Sequence, residues 1–177
     1  MTVRIRAAGT DDAAALAAIY AHHVLTGTAT FDTVPRSAQE MAAKVAECTA
    51  QGWPFLVAER AGAVVGYAYA TRFRDRPAYA ATCEDSIYVA ADHVGQGIGT
   101  LLLGALLTAA RDAGFRQMIA VIGGGEPASI ALHARLGFRP AGRMEAVGRK
   151  FGRWLDTVYM QTALGAGSTT PPPIEPD

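Results

Sequence analysis

Residues Ile87 to Leu103, IYVAADHVGQGIGTLLL, carry the reading that decides the fold. The β-formers Ile87, Tyr88 and Val89 run into a turn with glycines at 95, 97 and 99. Ile98, Leu101, Leu102, Ala105, Leu106 and Ala109 then recur on one face of a predicted helix, which Gly114 closes. A strand that passes through a glycine-rich turn into a helix builds an anion site. The first helical N–H groups lack intrahelical acceptors, and the positive end of the helix dipole lies beside them. Gly95, Gly97 and Gly99 let the backbone approach a phosphate without a Cβ in the way. An ordinary β-to-α turn has the same outline, so other signatures must discriminate. A Walker loop needs a lysine after its last glycine, and none is present. A dinucleotide fingerprint needs a third glycine where Thr100 or Leu102 stands. A pyrophosphate held by main-chain amides alone, without lysine or metal, is what remains.

Outward from this stretch, Thr82–Val89 (TCEDSIYV) reads as the strand that feeds the turn, and Met118–Ile122 as a short buried strand beyond the helix. Pro127–Leu136 reads as a helix stopped by Gly137, and Phe138–Val147 and Trp154–Thr162 as two last strands around the turn Lys150–Arg153. Trp154 reads as core of that hairpin. Toward the N-terminus, VRIRAA alternates as a strand. Thr10, Asp11 and Asp12 start a helix to about Leu25, with Leu16, Ile19, Tyr20 and Val24 at helical spacing. Ser37 with Glu40 three residues on is a capping box for a second helix, ending near Gln51 and Gly52. Phe55–Glu59 and Val64–Phe73 flank Arg60-Ala61-Gly62 as a hairpin. Hairpins first and strand–helix alternation later predict an α/β fold with a mixed sheet. One domain over residues 1–164 is expected, followed by a disordered tail over 165–177, GAGSTTPPPIEPD.

Bulk properties narrow the class. The 177 residues are half apolar, and 16 basic residues balance 16 acidic ones. Neutrality gives no global attraction to nucleic acid or to an anionic membrane. No apolar run is long enough to span a bilayer, and the first residues lack a signal-peptide core. Cys48 and Cys83 show neither metal spacing nor a disulfide framework, which fits a reduced cytoplasm. His22 and His23 are adjacent on a helix and face different ways, so no metal site is expected.

Strand alternation divides the residues that carry chemistry. Glu84, Ser86 and Tyr88 share one face and Asp85, Ile87 and Val89 the other, so Glu84 and Asp85 do not form a carboxylate dyad unless a bulge re-aims one. One of them is a candidate general base and the other is structural. Cys83 beside two carboxylates is a poor thiolate and thus a poor nucleophile. A covalent intermediate on Cys83 is therefore not expected. Arg72, Arg74 and Arg76 cluster beside Phe73 and Tyr79 and share a face if the strand continues that far. Their guanidinium forks suit a carboxylate, though a solvated loop tip has the same composition.

IYVAADHVGQGIGTLLL resembles the acetyl-CoA loop of the GNAT superfamily of N-acetyltransferases, whose pattern is Arg/Gln-x-x-Gly-x-Gly/Ala. Val94 stands at the first position, and Gly97 and Gly99 at the glycines. TATFDT, CEDSIYV, SIALHARLGF and GRKFGRWLD resemble its phosphinothricin and methionine sulfoximine N-acetyltransferase branch, from about Val3 to Leu164. The resemblance implies a mixed, mostly antiparallel sheet flanked by helices, with acetyl-CoA gripped at Val94, Gly95, Gln96, Gly97, Ile98, Gly99 and Thr100. It implies that amides from Ile87, Tyr88 and Val89 polarise the thioester where the strand splays from its neighbour. Glu84 becomes the base, and His133 a candidate acid for the departing thiolate. Glu126 stands where the family carries an Asn on the pantetheine arm, with Ser129 nearby as a partial substitute. Arg72, Phe73, Arg74 and Tyr79 become the carboxylate-binding segment for a small amino-acid-like substrate, with Phe31 as an apolar wall. A homodimer is expected. The rival expectations are a peptide N-terminal acetyltransferase and a non-catalytic acyl-CoA-binding module.

Overall fold

Seven strands and four helices follow one another in the computed structural model, which describes residues 2–172. They are β1 (Arg4–Ala7), α1 (Ala13–Thr26), α2 (Ala38–Ala50), β2 (Phe55–Arg60), β3 (Ala63–Arg72) and β4 (Thr82–Val89), then α3 (Ile98–Asp112), β5 (Gln117–Gly123), α4 (Pro127–Arg135), β6 (Arg139–Lys150) and β7 (Arg153–Ala163). The strands form one sheet in the order β1-β2-β3-β4-β5-β7-β6. Only β4 and β5 run parallel; the other neighbours are antiparallel. This is the mixed, mostly antiparallel α/β architecture expected from the sequence.

Strand alternation sorts the core into two layers. Ala68 and Ala70 of β3 turn toward α3, where Ile98, Leu102, Leu103 and Leu106 pack on them with Met118, Ala120 and Ile122 of β5. Tyr67 and Tyr69 turn the other way, onto Leu16, Tyr20 and Val24 of α1 and Met41 and Val45 of α2. Each fully buried Leu contributes about 1.5–3 kcal/mol through removal of its surface from water. The α2 start is the predicted capping box: the Glu40 amide donates to Ser37 Oγ, and the Ser37 amide donates to the Glu40 carboxylate.

One local feature positions the site. β4 and β5 pair only from Thr82 to Asp85 against Gln117 to Ala120. Beyond that, Ser86–Val89 stays paired with β3, while Val121–Gly123 stays paired with β7. The two central strands thus diverge at the point where β4 approaches the glycine turn.

Several boundaries differ from the sequence expectation. Thr10–Asp12 forms a 3-10 turn ahead of α1; there Asp12 accepts from the Gly9 amide at 2.8 Å and pairs with Arg6. β3 stops at Arg72, so Arg74 and Arg76 do not continue its alternation. A hydrogen bond from the Arg76 amide to the Arg74 carbonyl bends the chain before Pro77. β6 extends to Lys150 by way of register shifts between Pro140 and Gly142 and between Met144 and Gly148. Trp154 is 63% exposed and does not belong to the core; the Arg149 guanidinium lies over its ring at 5.5 Å. Residues 165–170 of the expected tail follow β7 as turns and bends, and Arg116 donates to the Pro171 carbonyl at 2.9 Å. The rest of that tail, 173–177, lies outside the described residues.

Candidate active site

A cavity of about 240 Å³ opens where β4 and β5 part. Its walls come from β4 (Glu84 to Tyr88), β5 (Ala120 to Gly123), α4 (Ser129, His133), Thr157 of β7 and the segment Ala29-Thr30-Phe31.

Main-chain parity fixes which amides reach it. The Phe73 amide donates to Thr82 O, and the Ala90 amide donates to Val65 O, with unbroken register between these two pairs. Alternation therefore commits the backbone of Glu84, Ser86 and Tyr88 to β3. The amides of Ile87 and Val89 point away from β3, into the gap that β5 leaves. Tyr88 was expected among the polarising amides, but its amide belongs to the sheet ladder. Its ring packs against Tyr20 and Tyr67.

The glycine turn follows directly. Gly95 and Gly97 have φ of 78° and 80°, a left-handed conformation that glycine adopts without steric cost, and a Cβ built on either would meet nothing within 4 Å. Among the described residues, the amides of Gly95 to Thr100 donate to no protein acceptor. This is an open cradle of free N–H groups at a helix N-terminus, the donor set that suits a pyrophosphate. Gly99, whose amide belongs to this cradle, is also constrained by packing. It is already helical, and a Cβ there would stand 3.2 Å from Leu132 Cδ2, so it lets α3 approach α4. The Ile98 side chain is buried in the core, leaving only its amide for the turn. The Gln96 side chain braces the loop, accepting from Arg60 at 2.5 Å and donating to Asp92 O at 2.8 Å. Val94 is exposed. Glu126 is the N-cap residue of α4 and does not line the cavity, whereas Ser129 does.

The two carboxylates sit as alternation requires, on opposite faces of β4. Glu84 lines the cavity, and its Oε2 is 3.7 Å from Arg74 Nη1. Burial pushes its carboxyl above the usual range; Arg74 opposes that shift and the nearby Asp85 adds to it. Asp85 reaches His133, with Oδ2 3.0 Å from Nε2 and both side chains 2% exposed. His133 Nδ1 lies 2.7 Å from the Ser129 carbonyl, which can only accept, so Nδ1 carries a proton. Nε2 is then the atom that shares a hydrogen bond with Asp85 Oδ2. Burial alone lowers the His133 pKa, but the hydrogen bond and charge of Asp85, helped by the Ser129 carbonyl, outweigh it and raise the value. The pair thus holds one proton beside the cavity. Asp85 Oδ1 is buried and has no partner among the described residues. Burial, with Asp85 next in effect, pushes the Cys83 thiol far up, so this cysteine is inert.

The arginine segment is more loosely placed than expected. None of Arg72, Phe73, Arg74 and Tyr79 lines the cavity. Arg74 reaches it through Glu84, and its guanidinium lies 3.9 Å above the Phe73 ring centroid, with Tyr79 edge-on to Phe73 at 5.7 Å. Arg72 is exposed at the end of β3, opposite Cys83. Phe31, by contrast, is a wall residue. Sequence reasoning missed the Asp85–His133 contact, because 48 residues separate the partners. It also missed the seat that glycines 123, 124 and 148 make for the 28–31 segment; the run Gly123-Gly124-Gly125 was its visible trace. Among the described residues, no group of three or more His, Cys, Asp or Glu is placed to hold a metal.

Comparison with known proteins adds an independent line. Residues 5–159 match the family described as acetyltransferase (GNAT) domain. The chain is 52% identical over 169 residues to a phosphinothricin N-acetyltransferase of Alcaligenes faecalis, covering 95% of this chain and 86% of the relative. It is 41% identical over 172 residues to an L-methionine sulfoximine/L-methionine sulfone acetyltransferase of Pseudomonas aeruginosa, covering 97% of this chain and 100% of the relative. The crystal structure of a GNAT superfamily phosphinothricin acetyltransferase from Sinorhizobium meliloti, in complex with AcCoA, matches with a TM-score of 0.94 at 49% identity, covering 97% of this chain and 94% of that one. An amide cradle after a splayed strand, together with a family match over most of the chain, leads to one assignment: this protein belongs to the GNAT family and is an acetyl-CoA-dependent N-acetyltransferase.

Proposed function

We propose that the protein, acting through one catalytic domain over residues 1–164, acetylates the primary amine of a small amino-acid-like substrate of the phosphinothricin or methionine sulfoximine type, with Glu84 as general base. The single observation that carries this reading is the placement of Glu84. It lines a small cavity on the strand whose next free amides, Ile87 and Val89, face the gap between β4 and β5. The names of similar relatives supply the substrate class.

Acetyl-CoA supplies an acyl group already activated as a thioester. The amides of Gly95 to Thr100 hold its pyrophosphate. An α-amino group is mostly an ammonium at neutral pH and lacks a free lone pair until a base takes its proton. Glu84, whose carboxyl burial holds above its usual range, accepts that proton and leaves the nitrogen nucleophilic. The amides of Ile87 and Val89 stabilise negative charge that develops on the acyl oxygen. As the C–N bond forms and the C–S bond breaks, the Asp85–His133 pair offers a proton to the departing sulfur. The buried Cys83 takes no part, so transfer is direct. Arg74 orients the substrate carboxylate from the rim and tempers the basicity of Glu84. Phe31 forms the apolar wall beside the substrate side chain.

The enzyme works as a homodimer in the cytoplasm. Exposed Phe151 and Trp154 at the last hairpin support the former, and the buried unpaired thiols of Cys48 and Cys83 support the latter. Thiol release from acetyl-CoA, followed across amino acids, L-methionine sulfone, L-methionine sulfoximine, phosphinothricin and short peptides, tests the substrate class. Turnover confined to the small carboxylate-bearing amines is expected; turnover on peptides alone overturns the reading.

A further inference from the structure

We propose that Gly148 is a specificity-determining residue: its missing side chain is the seat of the Phe31 ring, and the seat fixes one wall of the acceptor pocket. A Cβ built on Gly148 would fall 2.6 Å from Phe31 Cδ2 and 2.7 Å from Cζ, and closer still to Cε2. Real Cβ atoms do not approach ring carbons so closely, so any side chain at 148 must displace the ring. Gly148 is not among the residues with positive φ, so alanine fits its backbone. The glycine is required by contact across the pocket wall and not by a turn.

The rest of the segment is pinned, which concentrates the displacement on the ring. Gly123 meets the carbonyls of Thr28 and Ala29 at 2.9 and 3.0 Å, measured from a built Cβ, and Phe31 Cε1 at 3.1 Å. Lys150 Nζ, almost fully buried, donates to the Thr30 carbonyl at 2.9 Å. The Tyr20 hydroxyl contacts Thr30 Oγ1 at 3.0 Å and donates to Asp32 at 2.5 Å. With residues 28–30 held from three sides, a methyl group at 148 drives the ring off β6. The ring's open sides are then the cavity and solvent, and either course alters the surface that meets the acceptor side chain. The amides of Gly95 to Thr100, which serve the other substrate, lie outside this contact.

This inference rests on the proposed acceptor class, and the experiment separates the two. Wild type, Gly148→Ala, Phe31→Ala and the double variant are assayed with L-methionine sulfone and phosphinothricin, with acetyl-CoA affinity and melting temperature measured on each. Gly148→Ala is expected to raise the acceptor KM roughly tenfold or more while acetyl-CoA affinity stays within about twofold. The double variant is expected to behave like Phe31→Ala alone, because removing the ring removes the clash. An acceptor KM unchanged in Gly148→Ala, or losses in the double variant that simply add, overturns the proposal. If Gly148→Ala does not fold, the double variant still decides: recovery of a folded, acetyl-CoA-binding protein supports the steric seat, and failure to recover refutes it. A wild type that acetylates neither probe refutes the acceptor class instead.

Discussion

Replacing Asp85 with asparagine and with alanine separates the charge of the buried pair from its hydrogen bond. Both side chains are 2% exposed, so neither replacement can be repaired by water without structural change. His133 Nδ1 keeps its proton on the Ser129 carbonyl in every case. Asparagine presents an N–H to Nε2 of a neutral imidazole; the hydrogen bond survives and the charge is lost. That change costs about 1 kcal/mol. Alanine leaves Nε2 without a partner and opens a small void. Truncating one member of a buried pair costs roughly 3–5 kcal/mol, and the lower end applies because His133 can shed its proton. In a chain of this size 1 kcal/mol shifts the melting temperature by about 2–4 °C, so asparagine lowers it by about that much and alanine by roughly 6–12 °C. The pH dependence has a definite sign. His133 has a raised folded-state pKa, so its contribution is fully present below the unfolded value of about 6.5 and fades as pH rises through the folded value. Melting curves from about pH 5.5 to about 9 should show wild type and Asp85→Asn furthest apart at the acid end and converging at the alkaline end. A gap that does not change with pH would refute the shared proton, and equal losses for asparagine and alanine would refute the hydrogen-bond geometry.

Two further outcomes follow from the site. Gly97→Ala places a Cβ at φ 80°, at a cost of about 1–2 kcal/mol, and fills the open cradle; titration should show acetyl-CoA affinity reduced roughly tenfold or more with the fold retained. Arg74→Ala removes the charge that holds Glu84 down, so the acid limb of the pH profile of kcat/KM should move to higher pH and the acceptor KM should rise; a limb that stays in place separates Arg74 from Glu84.

Much of this was legible in the sequence because local chemistry dominated it. The Ser37–Glu40 capping box, the turn at Ala61-Gly62 and the glycine turn before α3 each depend on residues a few positions apart. Alternation along TCEDSIYV placed Glu84 and Asp85 on opposite faces for the same reason. What escaped depends on contacts between distant segments. Asp85 meets His133 only because β4 and α4 converge, and Gly148 matters only because Phe31 crosses onto β6. The arginine cluster misled by its spacing. Alternation holds only while a strand lasts, and β3 ends at Arg72 before the bend that carries Arg74 and Arg76. Gly99 shows a related ambiguity: its sequence position fits the anion turn, but its missing side chain accommodates Leu132.

The role of Glu84 is tested most directly by Glu84→Gln, which keeps the shape of the side chain and removes its basicity. Single-turnover acetylation of L-methionine sulfone should slow by roughly 10²–10⁴-fold at neutral pH, with acetyl-CoA affinity unchanged. The variant should also lose the acid limb of the wild-type pH profile. Turnover at the wild-type rate in Glu84→Gln, with the same pH profile, would contradict the account.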